Sequence, residues 1–345
     1  MGYQALTAHQ KNFFRIKARQ TQIKLAEFTL NHCHLGFNYV SNQTQLIMIQ
    51  GDREIFADDI EHIRLILQRF PSLSRKEIVH TLCETLNWLT PAGRPKVNAC
   101  FKLLHRLEEQ GSIHLPMKRE RYSHRANAGV STPALSSQTA AQPLLKGSLK
   151  ALGPVQLVPL FDQADRALWN EYVERYHYLG YKRPFGYRQR YFIEAEQHRL
   201  GCVLLSGASR ALGARDRWIG WNDRQRMKNL PWVLNNNRFL LFPWVQISNL
   251  ASHVLGQLVR RAGDDWQQRW GYRPVLLETF VDPLRFQGSC YRAAGWERLG
   301  RTTGEGLVRA GKQYQTSPKL IFAKPLQADF RRLLCSDQLK GRTEL

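Results

Sequence analysis

Glu278 and Asp282 stand four residues apart in the run LLETFVD, a spacing that on a β-strand turns both carboxylates to the same side of a sheet. With His253 or His177 close by, such a pair has the groups for general-base work or for holding Mg²⁺ in a nuclease, and burial would raise either pKa. The structural alternative is as concrete. Glu278 lies among apolar residues, where an unpaired charge is costly, so it needs a definite partner, and Arg238 on the neighbouring strand is the expected one. Asp282 precedes Pro283 and fits a turn. His253 falls in the first turn of a helix, as a neutral base or an ordinary packed histidine.

A second chemistry is written in cations and flat rings. Between Ser209 and Asn237 the chain interleaves Trp218, Trp221 and Trp232 with Arg210, Arg215, Arg217, Arg224, Arg226 and Lys228. Cations suit phosphates and rings suit unstacked bases, so this insertion is a candidate nucleic-acid surface; the alternative is tryptophans in the core and arginines on a solvated face. Asn235, Asn236 and Asn237 follow, better suited to a turn into Arg238 than to reading base edges. Lys96, Asn98, Lys102, His105 and Arg106 form a comparable set on one predicted helix.

The elements that carry these residues are legible. Ile60, Ile63, Leu67 and Phe70 mark a first helix, closed by Pro71. Ser74 with Glu77 fits a capping box opening a second, which TPAGRPK ends, and Val97, Cys100, Phe101, Leu104 and Leu107 mark a third before Gly111. Three helices and an extended SIHLP segment give the order of a winged helix-turn-helix, whose third helix would present Lys96, Lys102 and Arg106 to a major groove. The alternative is a helical protein-interaction domain. Further on, VQLVPL predicts a strand, ALWNEYVERYHYLG a helix entering an aromatic turn, and RYFIEAEQHRLGCVLLSGAS a hairpin. Arg238 to Ile247 predicts a buried strand. A helix carrying Leu250, Val254, Leu258 and Ala262 leads from it to VLLETFVD, a βαβ unit with parallel strands. The fold class is therefore α/β (α+β).

These readings divide the chain into a basic extension (1–51), a winged-helix-like unit (52–116), a flexible basic and Ser/Ala-rich linker (117–153), an α/β domain (154–326) and a tail (327–345). The 345 residues hold 50 Lys+Arg against 28 Asp+Glu, a net charge of +22 that makes a polyanion, DNA above all, the natural partner. No apolar run approaches ~18 residues, so no membrane partner or span is expected. The basic residues from Lys11 to Lys24 have no apolar core behind them, so no secretory signal is read there. Six isolated cysteines without a CxxC pair suggest reduced thiols in a cytoplasm, and His32-Cys33-His34 is too compact to hold a metal.

The order strand, helix, hairpin, strand, helix, strand, short helix, strand, with a last strand at PKLIFAKPL, resembles the GCN5-related N-acetyltransferase fold. The resemblance puts Tyr291, in CYRAAGWERLG, in the place of the tyrosine that protonates a leaving thiolate. It puts Gln246, Asn249 and Ala251 in the loop that cradles the coenzyme A pyrophosphate, with Asn249 where that superfamily has Gly. Asn can take the left-handed conformation, at more cost than Gly. Acetyl-CoA is the cofactor this would imply; on the residues alone none is expected. YHYLGY, RDRWIGW, NNNRFLLFPWV, NLASHVL, LLETFVD and GSCYRAAGW also resemble the DruA family of Druantia anti-phage defence systems, whose relatives occur beside or fused to insertion-element transposases. That resemblance implies a bacterial cytoplasmic protein in phage defence, partnered by components such as a helicase, or else a DNA-binding protein that assists a transposase. It supplies no reaction.

Overall fold

A computed structural model describes residues 45–117, 135–304 and 317–342. The basic stretch from Lys11 to Lys24, the His32-Cys33-His34 cluster and the basic half of the predicted linker lie outside the described residues.

The chain is described from a short antiparallel hairpin, β1 (Leu46–Gln50) and β2 (Arg53–Phe56). Three helices follow as predicted: α1 (Ala57–Arg69), α2 (Arg75–Thr85) and α3 (Val97–Glu109). Their periodic apolar residues, among them Ile63, Ile78, Leu82, Leu103 and Leu107, are fully buried in a core of their own. The capping box forms, with the Ser74 amide donating to the Glu77 carboxylate at 2.8 Å and the Glu77 amide to Ser74 Oγ at 3.3 Å. The hairpin stands before α1, and SIHLP after α3 carries no strand among the described residues.

Composition draws the linker too long. Ser136 and Thr139 donate to the carboxylate of Glu171, Thr139 at 2.6 Å, and this ties residues 136–139 to the helix that bears Glu171. β3 (Leu145–Gly147) and α4 (Leu149–Leu152) then lead into the α/β domain. Small polar residues read as a tether when no partner is visible; here the partner is a carboxylate 32 residues on.

Next come β4 (Val155–Pro159), α5 (Gln163–Tyr176), β5 (Arg188–Ala195), β6 (His198–Gly207), α6 (Gly213–Ile219), α7 (Asp223–Asn229) and β7 (Val233–Leu241). They are followed by β8 (Val245–Ile247), α8 (Leu250–Trp270), β9 (Leu276–Val281), α9 (Ser289–Ala293), β10 (Glu297–Arg301), β11 (Leu320–Pro325) and α10 (Phe330–Leu334). Seven strands form one sheet in the order β10-β11-β9-β7-β6-β5-β4. Its one parallel pair among the described residues is β7 with β9, joined by α8 as a βαβ unit. The strand predicted from Arg238 to Ile247 is not continuous: β7 runs from Val233 to Leu241, and β8 pairs with β3 in a separate sheet. Leu250, Val254, Leu258, Ala262 and Trp266 turn the buried face of α8 inward. The domain is α+β with the strand and helix order of the GCN5-related N-acetyltransferase fold.

Three details bear on the site. β7 begins at Val233, so Asn235, Asn236 and Asn237 lie in the strand and not in a turn. Two of their side-chain oxygens are satisfied there, Asn236 Oδ1 accepting from Tyr291 at 2.7 Å and Asn237 Oδ1 from Arg238 at 2.9 Å, while Asn235 Oδ1 is buried without a partner among the described residues. Opposite β6 the register slips between Leu204, facing Arg238, and Leu205, facing Asn236, so Asn237 is the extra residue of a bulge. And β7 pairs with β9 only from Val233 to Asn235, against Leu276 to Glu278, after which the two strands part.

The predicted tail belongs to the domain. Phe330 and Leu334 are buried, and Asn229 Nδ2 donates to the carbonyls of Leu334 and Ser336 at 2.9 and 2.7 Å. The helical unit touches the α/β domain at Thr90 Oγ1 with Tyr187 OH (2.7 Å), at Pro91 O with the Arg342 amide (2.7 Å), and at Glu54 with Arg224 (3.1 Å). Among the described residues, no helix is long and apolar enough to cross a membrane.

Candidate functional site

The carboxylates do not converge. Glu278 is fully buried, and its oxygens accept from the Ser209 amide and from Arg215 Nη1, both at 2.8 Å. Its partner is therefore Arg215 from the insertion, and not Arg238 as expected. Burial pushes the Glu278 carboxyl up against the opposing pull of Arg215 and the Ser209 amide. Burial works to lower Arg215, but Glu278 and Asp216 outweigh it and hold the guanidinium charged. Asp216 closes the network, taking Arg215 Nη2 at 2.7 Å, Trp221 Nε1 at 3.0 Å and the Leu212 amide at 2.9 Å. With every partner supplied from within, the pair fixes the insertion onto the sheet.

Asp282 accepts from the Leu284 amide at 3.1 Å and so makes the turn before the α9 segment. His253 is exposed at the start of α8, and its Nε2 meets the amide of Gln257, which also donates to Val155 O at 2.7 Å. Glu278, Asp282 and His253 each engage different partners, and among the described residues no group of His, Cys, Asp or Glu is placed to hold a metal ion.

The loop before α8, expected from the resemblance to hold a coenzyme, keeps its backbone conformation. Asn249 caps α8 at φ 62°, the left-handed conformation a Gly would supply, and Gln246 and Asn249 are exposed there while Ala251 is half-buried. The backbone from Val245 to Ile247 pairs on one edge with β3. Tyr291 is buried, and burial pushes its phenol well above the usual range, so it stays protonated and donates to Asn236.

Most of the predicted nucleic-acid contacts turn out to be structural. Arg215 is fully buried and Trp221 nearly so. Trp218 stacks on Phe330 with ring centroids 4.8 Å apart and donates to Glu297 at 2.9 Å. Arg226 is engaged by Asp216 and Asp223, Lys96 by Asp52, and Arg224, though exposed, by Glu54. Lys102 and Arg106 stay exposed on one face of α3 with Asn98, and Arg217 is exposed on α6. The aromatic and basic interleaving of the insertion is thus mostly a packing device, because its cations meet acids both within it, Asp216 and Asp223, and far from it, Glu278 and Glu54.

Another surface gathers cations without acids. Arg188 at the start of β5 feels Arg183 and, on α5, Arg166; Arg190 feels Arg188 and Arg166, and Arg269 near the end of α8 feels Arg166 and Arg188. Arg190 is itself only 6% exposed. Burial first, then the charges of Arg183 and Arg166, lower the pKa of Arg188, and burial followed by Arg166 and Arg188 acts likewise on Arg269. Their hydrogen bonds go to neutral acceptors: Asp162 O for Arg166, Pro184 O for Arg188, Asn170 and Tyr181 for Arg190, Leu160 O and Gln189 for Arg269. None of the five makes an ion pair among the described residues. Rings lie between them: Arg190 over Trp169 and Tyr181 (5.3 and 5.7 Å), Arg269 over Phe161 and Trp270 (both 5.2 Å), and Arg94 of the helical unit over Tyr187 and Trp270 (5.7 and 5.5 Å). The connecting loop adds exposed Lys182 and Phe185, the latter 91% exposed. One clue was available in the sequence: Arg188 and Arg190, two apart on a strand, share a face. The helical contributions from Arg166 and Arg269 had none.

A splayed mixed sheet with a crossover helix, bearing a cluster of arginines that make no ion pair among the described residues, defines an α+β protein. The family model described as Druantia protein DruA matches residues 106–319, more than half of the chain, and the chain belongs to that family. No curated protein matches. Among solved structures, a Bacillus subtilis acetyltransferase in complex with CoA is 12% identical, with 50% of this chain and 98% of that one covered at a TM-score of 0.29. The aminoglycoside acetyltransferase AAC(6')-Ib in complex with coenzyme A is 18% identical over 51% and 98%, at 0.32. These likenesses assign this chain neither an activity nor a ligand.

Proposed function

We propose that this protein is the nucleic-acid-binding component of a Druantia-type anti-phage system in the bacterial cytoplasm, and that it grips the phosphate backbone on the arginine face of its α/β domain. The observation that carries this reading is the set of Arg166, Arg183, Arg188 and Arg269, with buried Arg190 beside them, none ion-paired among the described residues and set among aromatic rings. Like charges held together in this way are relieved by an external polyanion, and the net charge of +22 draws one in. Lys102 and Arg106 on α3 offer a second, smaller contact. Fluorescence anisotropy with labelled single- and double-stranded oligonucleotides tests it. Arg188→Ala with Arg269→Ala should weaken binding at least tenfold, while Arg217→Ala has a small effect. Equal affinity of the double variant and the parent would remove the arginine face from the account.

A second reading, N-acyl transfer from acetyl-CoA, is favoured by the left-handed Asn249 at the α8 N-terminus and by the protonated Tyr291. Gln246, Asn249 and Ala251 would then hold the cofactor's phosphates, and the cofactor would supply a thioester acyl group. Calorimetry with acetyl-CoA decides: no heat of binding at millimolar coenzyme eliminates this reading.

A further inference from the structure

Where β7 and β9 part beyond Asn235 and Glu278, side chains bridge the fork: Thr279 Oγ1 donates to Asn236 O at 3.0 Å and Tyr291 to Asn236 Oδ1 at 2.7 Å. Next along β7, past the bulge, is Arg238, only 8% exposed. Its Nε donates to Gly180 O at 3.1 Å, and its Nη1 to the backbone and side-chain oxygens of Asn237 at 2.8 and 2.9 Å. Every one of these acceptors is neutral. Nη2 makes no hydrogen bond among the described residues, yet it is not sealed from solvent. A buried guanidinium without a counter-ion is costly, and Glu278, the nearest candidate by sequence, is committed to Arg215.

The surroundings are unusual in charge and shape. His177 feels both Arg238 and Lys319; burial first, then these two charges, pull its pKa down to about 4. Lys319 makes no ion pair among the described residues. Tyr178 stacks on His177 (4.9 Å), packs against Phe286 (5.9 Å), and lies under the Arg285 guanidinium (5.0 Å). Asp282 is the carboxylate that acts on Tyr178, together with Arg238 and Arg285. Three cations thus face one carboxylate, an imbalance that suits a dianion better than a monoanion. Phe286, 55% exposed and tilted 58° from Tyr178, offers an apolar ring beside the charges.

We propose that this site binds a nucleotide through a phosphomonoester, the phosphate accepting from Arg238 Nη2 and Lys319 Nζ while the base lies on the exposed ring of Phe286. The ligand is a free mononucleotide or the 5′-phosphorylated end of a strand; both present the same group. This site uses residues other than those of the arginine face, to which it is joined by the loop from His177 to Arg183.

The experiment is calorimetry on the full chain with AMP and with adenosine, paired with strand binding to a 5′-phosphorylated and a 5′-hydroxyl oligonucleotide of one sequence. AMP should bind at least tenfold more tightly than adenosine. Lys319→Ala, which leaves the core intact, and Arg238→Lys, which keeps the charge, should each lose at least tenfold in AMP affinity. NMR of labelled histidines supplies a readout that a merely structural Arg238 would not move: saturation with AMP should raise the His177 pKa by a unit or more, because a bound dianion favours imidazolium. A tenfold preference for the 5′-phosphorylated strand assigns the site to strand ends. AMP binding without that preference assigns it to free nucleotides. AMP binding no tighter than adenosine, or an unmoved His177, overturns the proposal. Arg188→Ala with Arg269→Ala losing duplex DNA while still binding AMP shows that the two sites stand or fall separately.

Discussion

Arg215 and Glu278 illustrate how a single residue can be misassigned from sequence. Each suggests function alone, a phosphate contact and a general base or metal ligand, yet together they form a fully buried pair at 2.8 Å. Arg215→Ala would strand the Glu278 carboxylate and should destabilise the fold by about 3–5 kcal/mol in denaturant unfolding, with little effect on DNA affinity per folded molecule. His177 makes a prediction in pH. Arg238 and Lys319 face it and Tyr178 stacks on it, and its folded pKa of about 4 lies below the ordinary 6.5. The unfolded chain therefore takes up the proton first as pH falls, so the stabilisation is complete above 6.5 and is lost between 6.5 and about 4. The loss should reach about 3 kcal/mol by the lower limit. His177→Gln should flatten that part of the stability curve; a curve unchanged by the substitution would mean that another group titrates there.

At the scale of elements, the α8 N-terminus is the most instructive. Asn249 holds φ 62° where a β-carbon is normally disfavoured. Asn249→Gly should be neutral or slightly stabilising, and Asn249→Val should cost about 1–2 kcal/mol, read as a shift in the denaturant midpoint. Local patterns of this kind were legible in the sequence, including the capping box at Ser74 and Glu77, the hairpin around Glu196, and the βαβ unit through α8, because period and punctuation belong to neighbouring residues. Partnerships were not. Nothing local ties Glu171 to Ser136 and Thr139, Asn229 to the carbonyl of Leu334, or Trp218 to Phe330, so the linker was drawn too long and the tail was separated from its domain. The three asparagines before Arg238 follow the same rule: they suggest a turn until Tyr291 and the bulge at Asn237 show how a strand can accommodate them.

For the whole molecule, the excess of positive charge is the leading fact, and its distribution decides its meaning. In the insertion, acids neutralise Arg215 and Arg226, and Arg224 pairs with Glu54 across the contact between the two units. On the face built from α5, β5 and the end of α8 no such acids are paired among the described residues, and Arg94 brings the helical unit to the same surface. Nucleic-acid affinity should therefore reside mainly on the α/β domain. The most direct measurement is the salt dependence of DNA binding, log affinity against log salt, for the parent and for Arg188→Ala with Arg269→Ala. With four or so phosphate contacts the parent slope should be about −3 to −4, and the double variant should be shallower by about 2. A slope near zero for the parent, or the same slope for both proteins, would contradict the claim that this face holds the backbone.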